Sequence, residues 1–135
     1  AMSLAGHLKL KNLVMLFDNN SISIDGPTSL AVSDNFKKRF EGYGWDYILI
    51  DGHNEKEIFK ALKKVQNAKK PTVISCKTKI GYGSPNKSGK SSSHGSPLGL
   101  DEIKLVRDGR HCEVWHVVAQ PHGVGIACLV VWCPL

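Results

Sequence analysis

Two polar stretches in this sequence of 135 residues contain the side chains best suited to chemistry. The first spans residues 18–26 and directly follows an apolar run. It offers short side-chain oxygens and backbone carbonyls in a tight turn, and such hard oxygen ligands suit a magnesium ion that binds a phosphate. The same residues could instead form an ordinary turn held by Asn and Asp side chains. From the residues alone, both interpretations stay open.

The second stretch spans residues 77–87 and leads to residues 94–99. Its glycines would let the backbone come close to a ligand. His94 could donate a hydrogen bond to a phosphate or take part in proton transfer. The alternative is a mobile surface loop with a solvated histidine, because irregular stretches of this length are either functional or disordered.

Three short apolar runs predict the strands that would position these residues. They span residues 13–17, 47–50 and 72–76. The first suits a strand buried on both faces, and the third is rich in β-branched residues. Helical patterns alternate with these runs. The alternation predicts an α/β fold of three layers, in which a parallel sheet has helices on both faces.

Apolar residues at three- and four-residue spacing predict the helices. Residues 1–10 contain the end of one helix, and another is predicted at 100–107. Ser33 is expected to cap a helix in between, and Asn54 the next one. The positions expected to face inward are Phe36, Phe40, Tyr43, Ile58, Ala61, Leu62, Val65, Ala68, Ile103 and Val106 or Leu105.

The carboxyl ends of the predicted strands coincide with the polar stretches. Those ends fall at residues 18–20, 51–53 and 77–83. In open parallel sheets, ligands bind beyond the carboxyl ends of the strands. The polar and glycine-rich residues therefore lie where this fold would place a site.

The net charge of +6 raises the question of a nucleic-acid partner. Many of the lysines fall between apolar positions of one predicted helix, which favours a solvated helix face, and no aromatic residues interleave with them as a stacking platform requires. These lysines are Lys56, Lys60, Lys63, Lys64, Lys69 and Lys70. We therefore expect no nucleic-acid partner. We also expect no membrane span and a cytoplasmic location, since no apolar run approaches roughly 20 residues and no signal-peptide layout begins the sequence.

Together, the two polar stretches and the elements around them resemble transketolase, a thiamine-diphosphate enzyme of sugar-phosphate metabolism. The resemblance is collinear from residue 1 to about residue 107. It includes the sequence Ile-Asp-Gly-Pro-Thr from Ile24 and the sequence Gly-Tyr-Gly-Ser-Pro-Asn-Lys from Gly81. The matching segments are 1–8, 16–20, 24–26, 40–45, 51–53, 77–78, 80–87 and 94–99, together with Ile22.

The resemblance implies a partial thiamine-diphosphate-binding domain at residues 1–107 and a role for each matching site residue. Asn20 would be the side-chain ligand, and Ile22 the backbone-carbonyl ligand, of the Mg²⁺ or Ca²⁺ that holds the diphosphate of the cofactor. Ile24 would pack against the cofactor rings. His94 would lie near the diphosphate and the substrate, where it would bind cofactor and act in catalysis.

The implied activity is the transfer of a two-carbon ketol unit between sugar phosphates, a reaction of the pentose phosphate pathway, and the full-length family forms homodimers. The Gly-Asp-Gly half of the metal motif, the early substrate histidines and the second domain of the family are absent from this sequence. We therefore expect the isolated chain to be inactive. Two alternatives stay open, namely a non-catalytic pseudogene product and a basic module that binds nucleic acid.

Residues 108–135 depart from the family pattern and are expected to form a divergent tail outside the domain. Three of the four cysteines lie there, but their spacing matches no standard zinc pattern. The apolar run at 124–132 predicts an aggregation-prone strand. We expect this tail not to join the core as family sequence would.

Overall fold

The computed structural model describes residues 1–108 and 127–131, the last five by their backbone alone. The elements in chain order are α1 (Met2–His7), β1 (Leu13–Asn19), β2 (Ile22–Ser23), β3 (Gly26–Pro27), α2 (Phe36–Gly42), β4 (Asp46–Asp51), α3 (Glu55–Val65), β5 (Thr72–Lys77), α4 (Leu100–Asp108) and β6 (Ala127–Val131). Short 3₁₀ turns lie at Thr28–Leu30 and Ser91–Ser93.

The chain divides into two compact units. The sheet unit contains residues 1–20, 29–78 and β6. Of the described residues, the loop unit contains 21–28 and 79–108.

The sheet unit is built on a parallel sheet in the order β4-β5-β1-β6. The three predicted strands are confirmed as mutually parallel, and each extends one or two residues beyond the prediction at its polar end. The strands are longer because the hydrogen-bonded pairing between them continues past the apolar residues. For example, Asn19 of β1 pairs with Lys77 of β5.

Helices cover both faces of this sheet, so the predicted three-layer α/β fold is confirmed. On one face, α1 and α2 pack against β1 and β5 in a cluster of Ala5, Met15, Phe40, Trp45 and Val73. On the other face, α3 packs in a cluster of Val14, Ile50, Ala61, Val65 and Ile74. Val73 and Ile74 are adjacent in β5 and point to opposite faces. Both are completely buried, as expected for the central strand of a two-sided sheet.

Two details of the predicted helices in the sheet unit are wrong. Asn35, not Ser33, caps α2, because Asn35 directly precedes the first helical residue and its side chain accepts the Lys38 N–H at 3.0 Å. Leu62 was expected to face inward but is exposed, because α3 buries Ala61 and Val65 instead. The predicted cap at Asn54 is confirmed.

A close backbone contact joins α1 to the end of α2. A Cβ atom added at Gly6 would lie 1.7 Å from the Tyr43 carbonyl oxygen, so no other residue fits there without movement. Beside this contact, the Trp45 indole N–H donates to the Met2 carbonyl at 2.9 Å. Glycine at position 6 therefore lets α1 lie directly on the turn that leads into β4.

The strand β6 lies within the apolar run that predicted a strand in the tail, and it pairs in parallel with β1 from Leu13 and Ala127 onward. Thus five residues of the predicted divergent tail form a strand of the sheet. The tail histidines and most of the tail cysteines lie outside the described residues. Within the described part of the chain, no helix has the length and apolar character needed to cross a bilayer.

Candidate cofactor site

The polar strand ends lie along one edge of the sheet unit, as predicted. In the register of the sheet, Asn19 and Asp51 both pair with Lys77, so β1, β4 and β5 end at the same level. Asn20 is the next residue after β1, and it is half-buried. Side chains from three strand ends therefore meet at the edge where ligands bind in sheets of this type.

Thr78 fixes the end of β1. Its hydroxyl donates to the Asp18 carboxylate, and its backbone N–H donates to the Asn19 carbonyl at 3.3 Å. The side-chain amide of Asn19 donates to the Ser75 hydroxyl at 3.5 Å. Both polar residues that end β1 are thus bound to β5 or to the residue after it, immediately before Asn20.

The turn from β4 into α3 lies against the same edge. The Gly52 N–H donates to the Lys77 carbonyl at 2.8 Å. A Cβ atom at Gly52 would lie 2.5 Å from the Thr78 methyl carbon and 3.1 Å from the Lys77 oxygen. The turn can approach the exit of β5 this closely only because residue 52 is glycine.

The Cys76 side chain lies near the end of β5 at this edge. Burial raises the pKa of its thiol above its usual value, and the nearby Asp18 carboxylate raises it further. The thiol therefore stays protonated at neutral pH, which makes it a poor nucleophile and a poor metal ligand.

Ile22 and Ile24 lie in a small hairpin of the loop unit. Strands β2 and β3 pair in antiparallel fashion at Ile22 and Pro27, and the Thr28 N–H closes the hairpin on the Ser21 carbonyl at 3.0 Å. Ser21 begins it with a φ of 62°, in the left-handed region that few non-glycine residues adopt. The Ile22 side chain is half-buried, whereas that of Ile24 is 63% exposed near the tip.

His94 follows a chain of tight turns between residues 79 and 93. The Gly89 N–H donates to the Ile80 carbonyl at 2.8 Å, and the His94 N–H donates to the Ser91 carbonyl at 2.8 Å. Only 8% of His94 is exposed. The alternative of a solvated histidine on a surface loop is therefore wrong.

Glu102 organises the start of this loop, and sequence reasoning missed it. Although it lies on α4, it is buried at 7% exposure, whereas Ile103 and Leu105, two of the positions expected to face inward, are exposed. Its carboxylate accepts hydrogen bonds from the Ser84 hydroxyl, from the Asn86 N–H at 2.8 Å and from the Asn86 side-chain amide at 3.0 Å. The only available sequence signal was an acidic residue in the first turn of a helix downstream of a run of Ser and Asn.

These hydrogen bonds also change the acidity of Glu102. The bond from the Ser84 hydroxyl, followed by those from Asn86, lowers the pKa of Glu102 to about 2. The carboxylate is therefore charged at every pH at which the protein would function.

The four residues singled out for the site thus divide between the units. Asn20 belongs to the sheet unit, and Ile22, Ile24 and His94 belong to the loop unit. Their convergence stays a prediction. Among the described residues, no group of three or more His, Cys, Asp and Glu side chains could hold a metal ion.

Comparison with known proteins identifies the family. A family model described as "Transketolase, thiamine diphosphate binding domain" matches residues 1–122. The chain is 51% identical over 110 residues to the transketolase of Geobacillus stearothermophilus and 53% identical over 106 residues to that of Staphylococcus aureus (strain MRSA252). These matches cover 80% and 78% of this chain but only 16% of each relative.

Solved structures agree. The transketolase from Campylobacter jejuni superposes with a TM-score of 0.78 at 42% identity, over 80% of this chain and 17% of that one. A transketolase from Pichia stipitis, in complex with sedoheptulose-7-phosphate, superposes with a TM-score of 0.75 at 37% identity, over 80% of this chain and 16% of that one. By sequence and by fold, the chain belongs to the transketolase family, within its thiamine diphosphate binding domain.

Proposed function

We propose that this chain supplies part of the thiamine diphosphate site of a transketolase, with Asn20 and the Ile22 carbonyl as ligands of the divalent ion that binds the diphosphate. The position of Asn20 supports this most directly. It is the first residue beyond β1, at the edge where the strand ends align and where a parallel sheet binds its ligands.

The donor chemistry at these positions fits a Mg²⁺ or Ca²⁺ ion. Both cations prefer oxygen ligands, and Mg²⁺ commonly takes few protein ligands because phosphate oxygens and water complete its shell. An amide oxygen from Asn20 and a carbonyl oxygen from Ile22 meet that requirement. Asp18 serves a different role, since its carboxylate accepts the hydroxyl of Thr78.

His94 and Ile24 would serve the organic part of the cofactor and the substrate. The imidazole of a buried histidine on a fixed backbone can hold a proton or donate to a phosphate. The exposed side chain of Ile24 offers an apolar surface for the cofactor rings. When bound, thiamine diphosphate supplies the carbanion stabilisation of the reaction, and the residues of this chain hold and orient it.

The reaction of the whole protein would be the transfer of a two-carbon ketol unit between sugar phosphates. The Pichia stipitis transketolase that contains a bound sugar phosphate supports this substrate class. Homodimer formation and a cytoplasmic location also stay predictions. All four lysines on α3 are exposed, as a solvated helix face requires, and the absence of a nucleic-acid partner stays a prediction.

Binding of thiamine diphosphate to the chain, with and without Mg²⁺, tests the metal assignment. The matched variants are Asn20→Ala, beyond the carboxyl end of β1, and Asn12→Ala, an exposed asparagine just before its amino end. We expect Mg²⁺ to strengthen the binding of thiamine diphosphate to the wild-type chain and to Asn12→Ala. In Asn20→Ala, Mg²⁺ should no longer strengthen it. Nuclear magnetic resonance titration at millimolar cofactor would detect weak binding. Absence of Mg²⁺-dependent binding to the wild-type chain, or its persistence in Asn20→Ala, would contradict the proposal.

A further inference from the structure

The loop that ends at His94 depends on one buried carboxylate. Glu102 of α4 accepts three hydrogen bonds from Ser84 and Asn86, so it fixes both the side chains and the backbone of this turn. Ser84 is itself buried. Removal of the carboxylate would leave the buried Ser84 hydroxyl without this acceptor, which is more costly than the loss of an exposed contact.

A continuous series of hydrogen bonds leads from this turn to His94. The Ser84 hydroxyl, which donates to Glu102, also accepts the Lys87 N–H at 3.2 Å. The Lys87 carbonyl accepts the Ser93 hydroxyl at 2.6 Å. Ser93 is the residue immediately before His94. Each member of the series thus constrains the next, from Glu102 to the backbone that bears the imidazole.

The packing of the loop leaves little room for another arrangement. A Cβ atom at Gly81 would lie 3.1 Å from the Ser93 hydroxyl oxygen and 3.2 Å from the Lys87 oxygen. The Lys87 ammonium group donates to the carbonyl of Pro97, which follows His94 in the sequence, at 3.4 Å. The segments before and after His94 are therefore both tied to Lys87.

We propose that Glu102 is a positioning residue for His94, which it holds in place through Ser84, Lys87 and Ser93. The proposal rests on the proposed role of His94 in the cofactor and substrate site. Glu102 itself would touch neither cofactor nor substrate. Its function would be to order the loop before the ligand arrives, so that binding does not have to fix the backbone at His94.

Nuclear magnetic resonance on the full chain can separate positioning from general stability. The variants are Glu102→Ala, Glu102→Gln and Ser84→Ala, with Asp101→Asn as control. Asp101 is the neighbouring acid on α4, its side chain is 99% exposed, and its ion pair is with Lys104 of the same helix. Amide hydrogen exchange would be measured at Lys87, His94 and, in the sheet, Ile74. The His94 imidazole signal would be assigned with His94→Gln.

The expected result is local. In Glu102→Ala and Ser84→Ala, exchange at Lys87 and His94 should rise at least about tenfold, since each variant removes a bond to a charged acceptor. The imidazole signal should move, and Ile74 should be unaffected. Glu102→Gln should give an intermediate effect, because its amide keeps the shape and one acceptor oxygen. Asp101→Asn should resemble the wild type. If Glu102→Ala does not fold, Ser84→Ala and Glu102→Gln still provide the comparison.

Two results would overturn the proposal. One is faster amide exchange at Lys87 while the amide exchange and the imidazole signal of His94 stay unchanged. That result would show that Glu102 orders only the turn it contacts. The other is a parallel rise at Ile74, which would make its role one of general stability. Addition of thiamine diphosphate and Mg²⁺ separates this proposal from the proposed function. A His94 signal that responds to the Glu102 variants but not to the cofactor would support positioning and contradict the cofactor site.

Discussion

Thr78 donates its hydroxyl to the carboxylate of Asp18, although the two residues are 60 positions apart in the sequence. Thr78 is the first residue after β5, and Asp18 lies near the end of β1. The bond therefore joins two neighbouring strands at their polar ends, just before Asn20. The position of Asn20, the proposed metal ligand after β1, therefore depends on Thr78, which follows the neighbouring strand β5.

Replacement of Thr78 by valine should lower the free energy of unfolding by about 1–2 kcal/mol, because valine keeps the shape of threonine but removes a hydrogen bond to a charged group. Denaturant unfolding measures the effect. Thr78→Ser is the matched control, since it keeps the hydroxyl and loses only a methyl group. Equal destabilisation by both substitutions would show that the methyl group, not the hydroxyl, matters at this position.

The contact between α1 and the end of α2 predicts opposite effects for two glycines. Gly6→Ala should destabilise the chain by about 3 kcal/mol, because its Cβ would overlap the Tyr43 oxygen and backbone must move. Gly42→Ala should be neutral or stabilise by up to about 1 kcal/mol, because its Cβ meets nothing within 4 Å in a helical position. Thermal and denaturant unfolding of both variants would test this. Similar stability of the two variants would contradict the close approach of α1.

The lowered pKa of Glu102 predicts a loss of stability in acid. The carboxylate has a pKa of about 2 in the folded chain and about 4.5 in the absence of its partners. Its contribution is therefore complete above about pH 4.5 and is lost as the pH falls towards 2. Protection of the Asn86 amide against exchange, relative to its intrinsic rate at each pH, should fall over that window in the wild type. The fall should be absent in Glu102→Gln, which does not titrate, and an identical acid response in both proteins would contradict the assignment.

The purified chain should show no measurable ketol transfer between sugar phosphates, even with Mg²⁺ and excess thiamine diphosphate. Two oxygen ligands and one histidine are a small part of the groups that stabilise a transition state, and an enzyme commonly needs about 8 kcal/mol or more of such stabilisation. Titration calorimetry beside the activity assay should detect weak cofactor binding at best. Turnover well above background, or micromolar affinity, would show that the chain is more self-sufficient than we expect.

Sequence alone predicted the layers of the sheet unit well because buried strands leave a strong pattern. The apolar run before Asp18 fits a buried strand by its length, because it is continuous but shorter than a typical buried helix. The cap of α2 was harder to predict, because Ser33 and Asn35 are both good capping residues and only the first helical dihedral decides between them. Helical periodicity favoured Ile103 over Glu102 for the inward position. This prediction failed because Ser84 and Asn86 of the loop donate hydrogen bonds to Glu102, and helical periodicity considers only apolar residues.

The site residues were predicted from a different source. The resemblance to a family, not the local pattern, singled out Asn20, Ile22, Ile24 and His94. The local chemistry of each stretch had an ordinary structural alternative. The burial of His94 was beyond sequence reasoning because it arises from a series of turns whose geometry depends on Glu102, eight positions further on.

The register of the sheet has a consequence for the order of folding. Thr72 of β5 pairs with Asp46 of β4 on one side and with Val14 of β1 on the other. The second pairing closes more than twice the length of chain, at an additional entropic cost of about 0.6 kcal/mol or more. Non-local pairings of this kind also slow folding. We therefore expect the βαβ unit of β4, α3 and β5 to nucleate first, and β1 to dock on it later. The edge that bears Asn20 would then be among the last parts of the sheet unit to mature.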